Sequence, residues 1–156
     1  MKKDEAINLL NELIIICNDR IHIYTIAESE TDAFDLKALF FHFTASSKLC
    51  KEELVKEVKA LGGTVARGTS TSGVFFRVWG HVKKTLLTMD RRIILISCEF
   101  GECLVLNTYS KVLDNKASFL NKKQLSMLYS QKSVLQKDQK YLTSFSEVFL
   151  QMEFPN

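Results

Sequence analysis

Apolar positions recur at helical spacing along most of the chain, and four long stretches carry the pattern. The first runs from about Asp4 to Ser29. It places Leu10, Leu13, Ile14, Cys17, Ile21 and Tyr24 close together on one face, with Asp4 as an N-cap. The second, from about Asp32 to Leu61, aligns Leu36, Phe40, Phe43, Cys50, Leu54, Val58 and Leu61, and Gly62-Gly63 supplies the glycine that ends a helix. The third, from about Asp90 to Leu113, aligns Leu95, Cys98, Val105, Leu106, Tyr109 and Leu113. The fourth, from about Asn121 to Leu150, carries Leu128, Leu135, Leu142, Phe145 and Phe149. One domain over residues 1–150 follows, with a loose tail over 151–156.

Between the second and third stretches, residues 63–73 have the only loop-like composition in the chain, and a shorter helix follows from about Val74 to Leu87 with Phe75, Phe76, Val78, Trp79 and Val82. The glycines of that loop lack the G-K-[ST] ending of a phosphate-binding loop, so the segment reads as a flexible crossover. A helix of ~26 residues is ~40 Å long. An extended ten-residue loop reaches ~33 Å, and the short helix adds ~20 Å. The crossover therefore spans the bundle, and the third long helix runs parallel to the second. The expected fold is all-α: a ferritin-like four-helix bundle with a long crossover that carries a short extra helix between helices 2 and 3. An up-down-up-down bundle with a loose insert is the alternative. The first half of the third long helix is apolar all round, with Ile93, Ile96, Phe100, Cys103 and Leu104 facing away from its main stripe. Such a helix needs cover on both sides. Either the short Trp79 helix covers it, or a homodimer forms through the third long helix and the Trp79 helix.

Composition adds exclusions. The chain has one proline and six glycines in 156 residues, so long uninterrupted helices are permitted. A net charge of +3, with lysines mixed among acids on several faces, gives no basic stripe with exposed aromatics, so nucleic acid is not an expected partner. No apolar run approaches bilayer length and no signal segment follows Met1, so the expectation is a cytoplasmic protein away from membranes. Cys17, Cys50, Cys98 and Cys103 form no C-x-x-C pair and read as reduced thiols packed as small hydrophobes. Of Phe40, Phe41 and Phe43, two read as core and one as an edge residue.

Leu13-Ile14 with Asp19, Tyr24-x-x-Ala27-Glu28, Leu36-Lys37-x-Leu39-Phe40, Glu53-Leu54 and Leu61-Gly62-Gly63 occur in that order. Gly68 with Ser70, Gly73, Arg77-x-Trp79, Cys98-Glu99-x-Gly101-Glu102 and Tyr109 follow. Together they resemble a bacterial family of small ferritin-like bundles catalogued as a domain of unknown function, over about residues 5–115. The resemblance implies a ferritin-like fold and no established activity. The chain departs from the family pattern at Ile23, where glycine is common, and at Phe76, where histidine is common; its fourth long helix has no histidine.

A ferritin-like di-iron centre needs Glu-x-x-His motifs, and none exists: His22, His42 and His81 follow Asp19, Leu39 and Val78 at i−3. Asp19-x-x-His22 points opposite the apolar stripe and is expected to face solvent. Some acids nevertheless fall on inner stripes. Glu102 lies between Cys98 and Tyr109, with Glu99 on the flank; Glu28 extends the stripe of Cys17 and Tyr24; Asp138 sits between Leu135 and Leu142. Glu99, Glu102, Asp138 and, on a flank, His42 share a level ~15–18 Å from one bundle end. Inward carboxylates need a cation, a proton or hydrogen bonds. Three outcomes compete: a network with Arg20, Tyr24 and Tyr109; rotation of the acids to solvent; or Fe or Mn held by Glu99, Glu102, Asp138 and His42. Two functions correspond. One is a non-enzymatic interaction or structural protein that lacks the di-iron motif, with no catalytic residue and no cofactor. The other is a carboxylate-rich metal-binding protein.

Overall fold

The computed structural model describes residues 2–153, with side chains to residue 145. Among the described residues it is all-helical. The helices are α1 (Lys2–Glu30), α2 (Phe34–Ala60), α3 (Gly73–Leu86), α4 (Arg91–Asn115) and α5 (Lys122–Glu153), with one 3-10 turn at Ala117–Phe119. Of the tail expected over 151–156, residues 151–153 continue α5, and residues 154–156, like the side chain of Phe149, lie outside what is described.

Each boundary has a local cause. Gly62 at φ 77 ends α2: its N–H donates to the Lys59 carbonyl, and Gly63 N–H donates to the Val58 carbonyl. Only glycine adopts that left-handed turn without strain. Asp90 caps α4, its Oδ1 accepting from the Arg92 and Ile93 amides at 3.0 and 3.2 Å. Asn121 and Gln124 open α5 reciprocally: Asn121 Oδ1 accepts from Gln124 N–H at 2.8 Å, and Gln124 Oε1 accepts from Asn121 N–H at 3.0 Å. That exchange satisfies two amides that the first helical turn leaves unpaired.

Side chains at the helix ends fix the directions. Arg91 at the start of α4 pairs with Asp35 at the start of α2, so these two helices run the same way. Lys123, at the start of α5, pairs with Glu57, near the end of α2, so α5 runs against α2. α1 turns directly into α2 and runs against it. The chain therefore climbs back along the helices between α2 and α4, as the length argument requires.

The crossover is not free. Asn11 Nδ2 donates to the Thr64 carbonyl at 2.9 Å and its Oδ1 accepts from Ala66 N–H at 2.8 Å. Asn18 Nδ2 donates to the Gly68 carbonyl at 2.8 Å. Asp19 accepts from the amide and the hydroxyl of Ser70 at 2.8 and 2.6 Å. These rungs on α1 correct two expectations: the segment is clasped rather than flexible, and Asp19 is buried rather than solvent-facing. The cause is the crossover, whose Ser70 amide and hydroxyl lie over Asp19.

The core joins all five helices. Tyr24 lies among Phe40, Phe43 and Trp79 with ring centroids 5.0–5.9 Å apart. Phe40 and Phe43 are fully buried, whereas Phe41 is exposed. Trp79 of α3 reaches α4 at Gly101, where an added Cβ would come within 2.6 Å of the indole. Helix α4 alone among the described helices is long and apolar enough to span a bilayer, yet half of its most apolar window is buried against its neighbours. α3 covers only part of its second face: Ile93, Ile96, Phe100 and Cys103 remain exposed. For Cys103 this corrects the expectation of a packed thiol. Cys17, Cys50 and Cys98 are buried.

Candidate functional site

The middle of the bundle holds one buried charge cluster, centred on Arg20 of α1. Its Nε and Nη2 donate to Oε2 and Oε1 of Glu102 on α4 at 3.0 and 2.5 Å, a fork-to-fork pair. Nη1 donates to Ser47 Oγ on α2 at 2.7 Å, and Nη2 also reaches Asp138 Oδ2 on α5 at 3.5 Å. Ser46 Oγ donates to the same Asp138 oxygen at 2.6 Å. His42 Nε2 meets Asp138 Oδ1 at 2.9 Å from the rim, its side chain 56% exposed. The rings of Tyr24 and Phe43 lie under the guanidinium at 5.6 and 5.7 Å, so its π-faces are covered as well.

Four long helices thus contribute at one level, and burial is nearly complete: Arg20 is 1%, Glu102 2% and Asp138 3% exposed. Burial pulls the guanidinium toward neutrality, but the Glu102 charge, Tyr24, the Glu102 hydrogen bonds and the Asp138 charge outweigh it, so the Arg20 pKa rises. Burial, reinforced by the Glu102 charge, pushes the Tyr24 hydroxyl well above its usual range. A buried ion of this kind persists only when its partners saturate it.

Of the residues singled out in the sequence, Glu102 and Asp138 are brought together through Arg20, and His42 joins them through Asp138. Glu28 and Glu99 are only half-buried, and the hydrogen bond at Glu28 is one its backbone carbonyl accepts from Lys37 Nζ at 3.0 Å. Tyr109 does not reach the acids. Its hydroxyl donates to Gln131 Oε1 at 2.7 Å, and Gln131 Nε2 donates to the Cys50 carbonyl at 3.1 Å and to Glu53 Oε1 at 3.2 Å. Ser46, Ser47, Gln124 and Gln131 were not foreseen. The signal for the last two is their spacing of seven with Asp138 on the buried side of α5, which sets one polar rung against α2 every second turn.

The arrangement limits the chemistry. The Arg20 guanidinium engages two of the three carboxylates expected as metal ligands, Glu102 and Asp138, and among the described residues no three His, Cys, Asp or Glu side chains gather as a metal-holding group. The residues as built therefore do not fit a di-metal centre. Asp138 bonds Ser46 through one oxygen and His42 through the other, so the imidazole is not paired with the hydroxyl as a serine nucleophile requires. Burial raises the thiol pKa of Cys17 to about 12 and of Cys50 to about 11, and Cys98 is shifted further the same way. Thiols of that kind are poor nucleophiles. Beside the cluster, α2 and α5 leave an open groove of about 620 Å³ with His42, Ser46, Leu49 and Gln131 among its lining.

Compared with known families, residues 5–115 match the sequence model of one described as a domain of unknown function (DUF2383), which is more than half of the chain. No curated protein and no solved structure matches it.

Proposed function

The chain belongs to the DUF2383 family, and from that premise we propose that it is a ferritin-like helical bundle with a non-enzymatic, interaction or structural role. In this reading its polar core is closed around an arginine instead of a metal. The parallel course of α2 and α4, with α1 and α5 running against α2, supports the ferritin-like reading. The observation that carries the functional reading is the two-carboxylate grip of Glu102 and Asp138 on Arg20. A guanidinium in that position supplies the positive charge that an iron or manganese ion would otherwise bring, and it is not exchanged with solvent. The three buried thiols suit a reducing, cytoplasmic compartment.

Metal analysis of protein purified without chelator tests the proposal. The expected result is no stoichiometric Fe or Mn and an unchanged melting temperature on adding Fe²⁺. Stoichiometric metal that disappears in Glu102→Ala would overturn it in favour of carboxylate ligation by Glu102, Asp138, His42 and Glu99.

A further inference from the structure

The outward face of α4 bears a second apolar stripe that no described residue covers. Ile93, Ile96 and Phe100 are 42, 54 and 66% exposed, and Cys103 and Asn107 continue the line in exposed positions. Their spacing of three and four is that of the a and d positions of a heptad, with Ile93, Phe100 and Asn107 at a and Ile96 and Cys103 at d. The stripe is ~21 Å long by helical rise and lies on the side of α4 away from Cys98, Glu102 and Val105, which face the core. One wall of the stripe is α3: Arg77, Val78 and His81 line an open apolar groove of about 380 Å³ with Ile96 and Phe100.

We propose that this stripe pairs with the same stripe of a second copy, the two α4 helices lying parallel about a two-fold axis that runs along them. The inference rests on the interaction reading above and names its partner. Three observations select this occupant and orientation. A heptad stripe is self-complementary, so an identical helix fits it without any further surface. A single polar asparagine at an a position fixes register at a cost in stability, which is the place Asn107 holds. Charge selects the orientation. Arg77 and His81 stand on one flank of the stripe, whereas Glu99, ~100° round the helix from Phe100, stands on the other. A two-fold axis along the helices sets the basic flank of each copy against Glu99 of the other. An antiparallel pair would set basic flank against basic flank, which like-charge repulsion disfavours.

In the parallel pair each stripe residue meets its own counterpart, so the two Cys103 thiols face one another. The other three cysteines are buried, which makes Cys103 a clean reporter. Sedimentation of the full chain at micromolar concentration is expected to give twice the 17.9 kDa monomer mass. A short bis-maleimide is expected to join two copies, and Cys103→Ser to abolish the link. Phe100→Glu, at a position exposed within one copy, is expected to return the protein to monomer with its helical circular dichroism intact. Arg77→Glu is expected to weaken the dimer by roughly fivefold, as loss of a partly exposed ion pair does, and Glu99→Arg in the same chain to restore it. A monomer at every concentration, or a dimer indifferent to Phe100→Glu, overturns the proposal. So does a dimer that cross-links only when Ile93→Cys is added to supply an antiparallel partner for Cys103. A monomeric result leaves the arginine-centred core standing, whereas bound metal in an intact dimer removes that core reading and leaves this one.

Discussion

Replacing Glu102 by leucine removes the two-point partner of a guanidinium that is 1% exposed. What remains on Arg20 is the Ser47 hydrogen bond at 2.7 Å and the longer contact to Asp138 at 3.5 Å. Removing one member of a buried ion pair costs about 3–5 kcal/mol, because the surviving charge stays buried without compensation. For a chain of this size each kcal/mol lowers Tm by roughly 2–4 °C, so a fall of about 10 °C is expected. Arg20→Met alone strands Glu102 instead and should cost about as much. The double variant Arg20→Met with Glu102→Leu strands neither. Asp138 keeps Ser46 at 2.6 Å and His42 at 2.9 Å, and apolar replacement of a whole buried pair is often close to neutral. The double variant should therefore be at least about 3 kcal/mol more stable than the sum of the single losses predicts. Urea unfolding followed by far-ultraviolet circular dichroism measures all four proteins. The reasoning fails if Glu102→Leu costs under about 1 kcal/mol, or if the single losses simply add.

Asp19 is held by Ser70 at two points, but burial outweighs those hydrogen bonds and raises its carboxyl above the ordinary 3.8. The folded state thus keeps that proton to higher pH than the unfolded chain does, so the Asp19 contribution is most favourable below 3.8 and is lost as pH rises through the folded value. Asp19→Asn should flatten that trend in urea midpoints while Asp19→Ala, which frees the crossover, costs about 1–3 kcal/mol at neutral pH. Thiol titration of the native protein should find Cys103 reactive and Cys17, Cys50 and Cys98 silent until urea is added; more than one fast thiol would contradict the packing. Gly101→Ala should cost about 1–3 kcal/mol by forcing Trp79 aside, and the single tryptophan's emission should move to the red; an unchanged spectrum and midpoint would mean that α3 is not seated as described.

Helical periodicity alone located all four long helices, because apolar stripes at three-and-four spacing bury only as helix faces. Gly62-Gly63 and Asp90 marked ends that the structure keeps, through a left-handed turn and an amide-accepting carboxylate. The length of the segment between α2 and α4 was enough to expect their parallel course. Helical rise alone put Glu102, Asp138 and Arg20 at one level. These properties are legible because each depends on the residue's own position along one helix or on the reach of the chain.

Properties that depend on rotation between helices were not legible. Asp19 looked exposed because a wheel drawn for α1 alone contains no crossover to cover its far side. Glu99 on the flank of its stripe and Glu28 at the end of another were grouped with Glu102 as inward acids, yet both are only half-buried while Glu102 meets Arg20. Tyr109 was expected as a hydroxyl partner of the acids, but its hydroxyl donates to Gln131 of α5 instead. The sequence by itself determined the helices, their ends and the level of the polar layer, since local propensity and chain length act one element at a time. Only the tertiary structure decided that the layer closes around a guanidinium and that the described residues leave Ile93, Ile96 and Phe100 of α4 exposed, since both are set by how separate helices turn and meet in space.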